Sequence, residues 1–188
     1  MPLLRIEPVP GYAPTVGRLV SILTYSRQTL LAAVEGLSRA DLDHLHDAQS
    51  NSIGALLAHV AAVERWYQVF TFENREPSAA EAAPWLPALD LGDEGRRHLN
   101  GLELQSYLDA MAEIRRATLA ALAERSDTWL EDPLAASPSI NAHWAWLHVA
   151  EDEINHRGQI RWLRGRLPSR STMAPPNPGM QRTRYARP

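Results

Sequence analysis

Apolar residues recur at three- and four-residue spacing in four stretches of the chain, and nowhere is there a sustained period-two alternation. The pattern therefore predicts an all-α fold. The first stretch begins at Pro14, a residue suited to a first helical turn. It carries Val16, Leu19, Val20, Leu23, Leu30, Val34 and Leu37 and ends near Gly36. A short helical piece is expected over Ser38 to Leu45, with Ser38 as cap and Asp41 three positions on. The second long helix opens at Asn51 or Ser52, places Ile53, Leu56, Leu57, Val60, Val63, Trp66, Tyr67 and Phe70 on one broad face, and stops before Pro77. The third spans Leu104 to Glu124, with Leu104, Tyr107, Leu108, Met111, Ile114, Thr118 and Leu122. The fourth spans Ile140 to Arg166, with stop signals at Gly165 and Pro168.

Residues 74–103, between the second and third helices, contain Pro77, Pro84 and Pro87 and show no strong period. A link of that length is too long for a hairpin turn. It predicts a crossover, and hence a four-helix bundle of up-down-down-up topology. The chain divides into this bundle, residues 1–168, and a Pro/Arg-rich tail, residues 169–188, expected to be flexible.

Composition then narrows the chemistry. All 19 basic residues are arginine and there is no cysteine, which excludes Schiff-base lysines, thiolate nucleophiles, disulfides and thiolate metal sites. The tail carries Arg170, Arg182, Arg184 and Arg187 with no acid, so residues 1–168 hold the other 15 arginines against all 22 acids, a net charge of −7. A body of that sign repels a phosphate backbone, so nucleic acid is not the expected partner. No run approaches the about 18 apolar residues of a membrane span and no signal-peptide pattern opens the chain, so a soluble, cytoplasmic protein is expected.

Histidine placement is the informative feature. His44, His46, His98 and His143 fall in short helix, loop or first-turn positions and are expected to be solvated. His59 has Ala55, Leu56, Val63 and Trp66 as its helical neighbours. His148, Asp152 and His156 follow one another at four-residue steps, in line with Ala145, Val149, Ile160 and Leu163. Two helices thus direct polar groups at one interior, where polar groups without partners are costly and a shared metal would satisfy them together. Side chains one turn apart can chelate one ion, so the pair on the fourth helix is His148 with Asp152 or Asp152 with His156; spacing does not choose. Two histidines and a carboxylate leave open positions on zinc, iron, nickel or manganese, which is the signature of a catalytic and not a closed structural site.

The stretches Asn51-Ser52-Ile53-Gly54, His59-Val60-Ala61-Ala62-Val63-Glu64 and His148 through His156-Arg157-Gly158-Gln159-Ile160, closing with Leu163-Arg164-Gly165-Arg166-Leu167-Pro168, resemble the DinB-like (YfiT-like) metalloenzymes over residues 14–168. The resemblance implies a bundle whose metal is held by three residues, here His59, Asp152 and His156. It also implies a homodimer. The departure is Asp152, where many members carry histidine and related branches glutamate. His148 becomes the candidate catalytic group, a proton relay beside the metal.

Other residues take plainer readings. Glu64 is read as pairing with an arginine or backing up a ligand, an exposed pair being the default; Glu151 and Glu153 are expected to point away from the metal, and Gly158 to let a neighbouring helix approach. Trp66, Trp144, Trp146 and Trp162 are read as core or subunit interface, with the alternative that an aromatic beside an open metal site walls a pocket. What the resemblance implies for activity is a divalent-metal-dependent transfer of a low-molecular-weight thiol to a small-molecule substrate, or isomerisation with such a thiol as cofactor. A metal acidifies a bound thiol without any protein cysteine. The alternatives are a metal-dependent hydrolase with the same ligands, and a non-catalytic stress-associated bundle that binds a metal or small molecule.

Overall fold

A computed structural model describes residues 4–168; the segment assigned above to a tail, residues 169–188, lies outside them. Four long helices, α1 (Pro14–Val34), α3 (Ile53–Tyr67), α7 (Leu104–Ala123) and α8 (Ala142–Arg164), match the four periodic stretches. Helix α1 packs on α8, α3 on both α8 and α7, and α1 on α7. The expected short piece is α2 (Arg39–Asp43). Ser38 caps it, its hydroxyl accepting from the Asp41 amide while the Asp41 carboxylate accepts from the Ser38 amide.

Local chemistry fixes the ends of the long helices. Ser52 caps α3 and Asn141 caps α8 through their side-chain oxygens. Helix α1 has no side-chain cap of its own; the Asp127 carboxylate instead accepts from the amides of Thr15 and Val16, at 2.8 and 3.0 Å. Gly54 is required by packing, because a Cβ there would lie 2.7 Å from the Tyr107 hydroxyl on α7. Helix α3 continues into one turn of π-helix at Gln68–Phe72, and the Gln68 amide reaches α7, donating to the Ile114 carbonyl and the Thr118 hydroxyl.

The crossover over residues 74–103, which shows no strong period, holds three short helices, α4 (Ala79–Ala82), α5 (Leu86–Asp90) and α6 (Gly92–His98). None is long enough to show a period. Their signals are local, a Ser78/Glu81 capping box and Pro87 in the first turn of α5. Leu91 joins α5 to α6 at φ 56°, ψ −142°, a conformation that costs a branched residue about 1–3 kcal/mol; its side chain packs against the core in return. The chain is not wholly helical, since Pro133–Leu134 and Ser137–Asn141 form a two-stranded antiparallel hairpin just before α8.

The core is divided. One apolar cluster includes Leu30, Val34, Leu56, Leu57, Val60, Met111 and Ile160, and another includes Leu19, Leu23, Phe70, Leu122, Trp146 and Val149. Between them each long helix contributes one charged residue: Arg27 from α1, Glu64 from α3, Arg115 from α7 and Glu153 from α8, all buried. Both guanidinium groups reach both carboxylates. Arg27 lies 2.6 Å from Glu64 and from Glu153, and Arg115 2.7 Å from each. The remaining donors and acceptors are met as well. Arg27 and Arg115 donate to the Met111 and Leu23 carbonyls, while Ser26 and Thr118 donate to Glu153 and Glu64. The expectation of an exposed pair at Glu64 is therefore wrong: its side chain is 0 % exposed.

Burial pushes the Glu64 carboxyl up, but Arg115 and Arg27 outweigh it and hold it below the usual carboxylate range. A depressed carboxyl stabilises the fold fully above its unfolded value, about 4.3, and that contribution is lost as pH falls through the folded value. Replacing Glu64 by Ala leaves two buried arginines short of a counter-charge and is expected to cost about 3–5 kcal/mol, read from urea midpoints at pH 7. Glu64→Gln is expected to be destabilised at pH 7 and to lose less stability than the wild type on going below about pH 4; parallel acid profiles for the two proteins would contradict the assignment.

Candidate metal centre

His59 on α3 and Asp152 and His156 on α8 come together at the rim of the packed helices. One ligand atom from each lies within 4.8 Å of the others. The Asp152 Oδ1 is 3.2 Å from the His156 Nε2 and 3.7 Å from the His59 Nε2, and the two imidazoles meet edge to face, 4.7 Å between centroids. Side-chain exposures of only 12–14 % place all three in a partly desolvated setting.

The second nitrogen of each imidazole is committed elsewhere. The His59 Nδ1–H donates to the Ala88 carbonyl of α5 at 2.7 Å, and the His156 Nδ1–H donates to the Gln159 Oε1 at 3.0 Å. With Nδ1 so engaged, Nε2 of each ring is the atom that faces Asp152, and it is the one available to ligate a metal in place of its proton. Asp152 supplies a further sign: its Oδ2 is buried with no hydrogen-bond partner. An acceptor left unmet on a carboxylate that two imidazole Nε2 atoms approach fits a divalent cation. Burial pushes the Asp152 carboxyl up, yet the hydrogen bonds from His156 and His59 prevail and hold it well below the usual carboxylate range. For His59, burial acts downward, while Asp152 and the Ala88 carbonyl act upward and win, so its pKa is raised.

His148, the candidate proton relay, does not join this trio. Its ring stacks on Trp144, 5.0 Å between centroids and 9° from parallel, and stands edge-on to Tyr67 at 5.9 Å. Its Nδ1 lies 3.3 Å from the Glu151 carboxylate. It does face the same space: a cavity of about 400 Å³ is lined by His59, Asp152 and His148 together with Val63, Trp66, Tyr67, Leu86, Leu89 and Asp90. A second cavity, of about 500 Å³, lies further along the α3 and α8 groove, against Asn51, Leu56, Asn155, Gly158, Gln159 and Trp162.

Of the plainer readings, Trp146 is fully buried, while Trp144 and Trp162 are each 46 % exposed. Gly158 does not admit a neighbouring helix of this chain, for a Cβ there would meet nothing within 4 Å. Glu153 points away from the trio, as expected, but into the core. The sequence reading missed the Ala88 carbonyl and the α5 side chains; a backbone acceptor on a five-residue helix leaves no residue-type signal.

Residues 18–168 match the family model described as Mycothiol-S-transferase. No curated protein matches the chain. Among solved structures, the chain is similar to a conserved protein of a locus from Enterococcus faecalis, with 18% identity over 78% of this chain and 92% of that one and a TM-score of 0.59. At that identity the likeness concerns the fold alone.

If the trio is the binding set, zinc titrated calorimetrically should bind once per chain, and excess zinc should raise the melting temperature. Gln159→Ala, which frees the His156 ring, is expected to weaken that affinity about 10–100-fold, whereas His148→Ala should leave it unchanged. Equal losses from His148→Ala and His156→Ala would mean that the ligand set is different.

Proposed function

Because the chain belongs to the mycothiol S-transferase family, a DinB-like family, we propose that it joins a low-molecular-weight thiol to a small electrophile at a divalent-metal centre held by His59, Asp152 and His156. The observation that carries this reading is the convergence of two imidazole Nε2 atoms on the Asp152 Oδ1 while the buried Oδ2 of the same carboxylate has no partner. A divalent ion bound there, whether zinc, nickel, iron or manganese, would lower the pKa of a thiol enough to make a thiolate near neutral pH.

The chain's own residues supply the rest. Gln159 and the Ala88 carbonyl hold the two imidazoles with Nε2 facing Asp152 before substrate arrives, so little reorganisation is needed. Trp66, Leu86 and Leu89 exclude water from the side of the cavity facing His59 and Asp152. His148 is the proton acceptor of this reading: with its Nδ1–H donated to Glu151, the atom that takes the thiol proton is Nε2. The sulfur then forms a bond to the electrophilic carbon, and the electron pair displaced there leaves with a leaving group or takes up a proton.

The same reading carries a cytoplasmic homodimer and a four-helix bundle of up-down-down-up topology. The order of the two apolar clusters supports that topology, since it runs one way along α1 and α8 and the reverse way along α3 and α7.

Transfer is expected with mycothiol and a simple alkylating acceptor, and not with the acceptor and water alone. Asp152→Ala should abolish both zinc binding and most of the turnover. His148→Ala should keep zinc while lowering kcat about 100-fold. A rate equally fast without any thiol would overturn the transferase reading in favour of hydrolysis.

A further inference from the structure

The cavity beside the candidate centre has a chemistry that the proposed reaction leaves unspecified. Trp66 and Tyr67 reach it from the last turn of α3, and Leu86 and Leu89 from α5, so two elements wall it with apolar surface. Its volume of about 400 Å³ lies within the range of small-molecule sites, about 300–1,000 Å³. Leu86 is 44 % exposed at its edge, which is apolar surface the fold does not bury. Among the described residues, the titratable side chains on its wall are Asp90, Asp152, His59 and His148.

The second cavity along the same groove differs. Asn51, Asn155 and Gln159 present uncharged amides there, beside Trp162.

We propose that the cavity walled by Trp66, Tyr67, Leu86 and Leu89 selects the electrophile, and that it selects acceptors bearing an aromatic or other apolar body. This rests on the transferase reading for the reaction, though not for the binding. Trp66 and Leu86 are then specificity residues, touching the part of the acceptor that does not react.

The test uses N-benzylacrylamide and N-methylacrylamide, which share one reactive group. Mycothiol adds to each through a new bond from sulfur to the terminal alkene carbon; the alkene π pair moves to the neighbouring carbon and takes the proton given up by the thiol, with no leaving group. The benzyl acceptor is expected to have a kcat/KM about 10-fold higher or more, carried in KM, as burial of an aromatic ring implies. Trp66→Ala should reduce the preference to within about 3-fold. Leu86→Gln, at an exposed position that folding does not need, should reduce it as well.

The same proteins are titrated with the unreactive N-benzylpropanamide and N-methylpropanamide, following binding by NMR, which reads the cavity without turnover. Ring-selective binding that weakens about 10-fold in Trp66→Ala and also falls in Leu86→Gln supports the proposal, even if neither acrylamide is turned over; that last result would count against the transferase reading alone. Equal binding of the two amides by the wild type, or a preference untouched in both variants, overturns the proposal whether or not transfer occurs.

Discussion

The quartet of Arg27, Glu64, Arg115 and Glu153 is the constraint on which the rest of the structure depends. Four charges in a protein interior are tolerable only if every donor and acceptor is met, because an ion stripped of water and left unpaired costs several kcal/mol. Here each long helix brings one charge, and each arginine engages both carboxylates and a main-chain carbonyl of another helix. A sliding or rotation of any one helix would break several of these bonds together. The apolar clusters on either side could be repacked by residues of similar volume; the quartet has a single arrangement that satisfies it.

That arrangement also aims the candidate centre. Glu153 follows Asp152 directly, and successive residues on a helix are rotated by about 100°. Holding Glu153 inward among the arginines therefore turns Asp152 toward the side of α8 that faces α3, with His156 one turn further along. Glu64 does the same for α3, where His59 lies five residues before it. The two helices that carry the candidate ligands are thus oriented by a network that shares no atom with the site, and an error in the network would be felt as a misplaced imidazole.

Much of this was legible in the sequence. The four long helices follow from apolar spacing, and their starts from Pro14, Ser52 and Asn141. The candidate ligands were legible as residue types, but spacing left His148 and His156 equivalent, because each is one turn from Asp152. What separates them is where α3 places His59, a fact of packing that the resemblance supplied and periodicity did not. The quartet was misread since a glutamate in a helix is ordinarily solvated. Its signal was present all the same: Arg27 falls between Leu23 and Leu30, and Arg115 between Met111 and Leu122, so both arginines interrupt apolar stripes. The segment from Ser78 to His98 was opaque because its helices are shorter than the windows in which a period can be detected.

The bond from His59 to α5 ends on a main-chain oxygen, and such an oxygen is not encoded by the identity of its residue. Ala88 could be exchanged for many other amino acids and the carbonyl would still be there. The partner of His59 is instead inherited through the course of the backbone, which is set by the strained link at Leu91 and by the bond from the Gly92 amide to the Asn51 side chain. Over evolutionary drift, the orientation of this imidazole is guarded at positions that never touch it, and a comparison of sequences confined to the residues around the centre would overlook them.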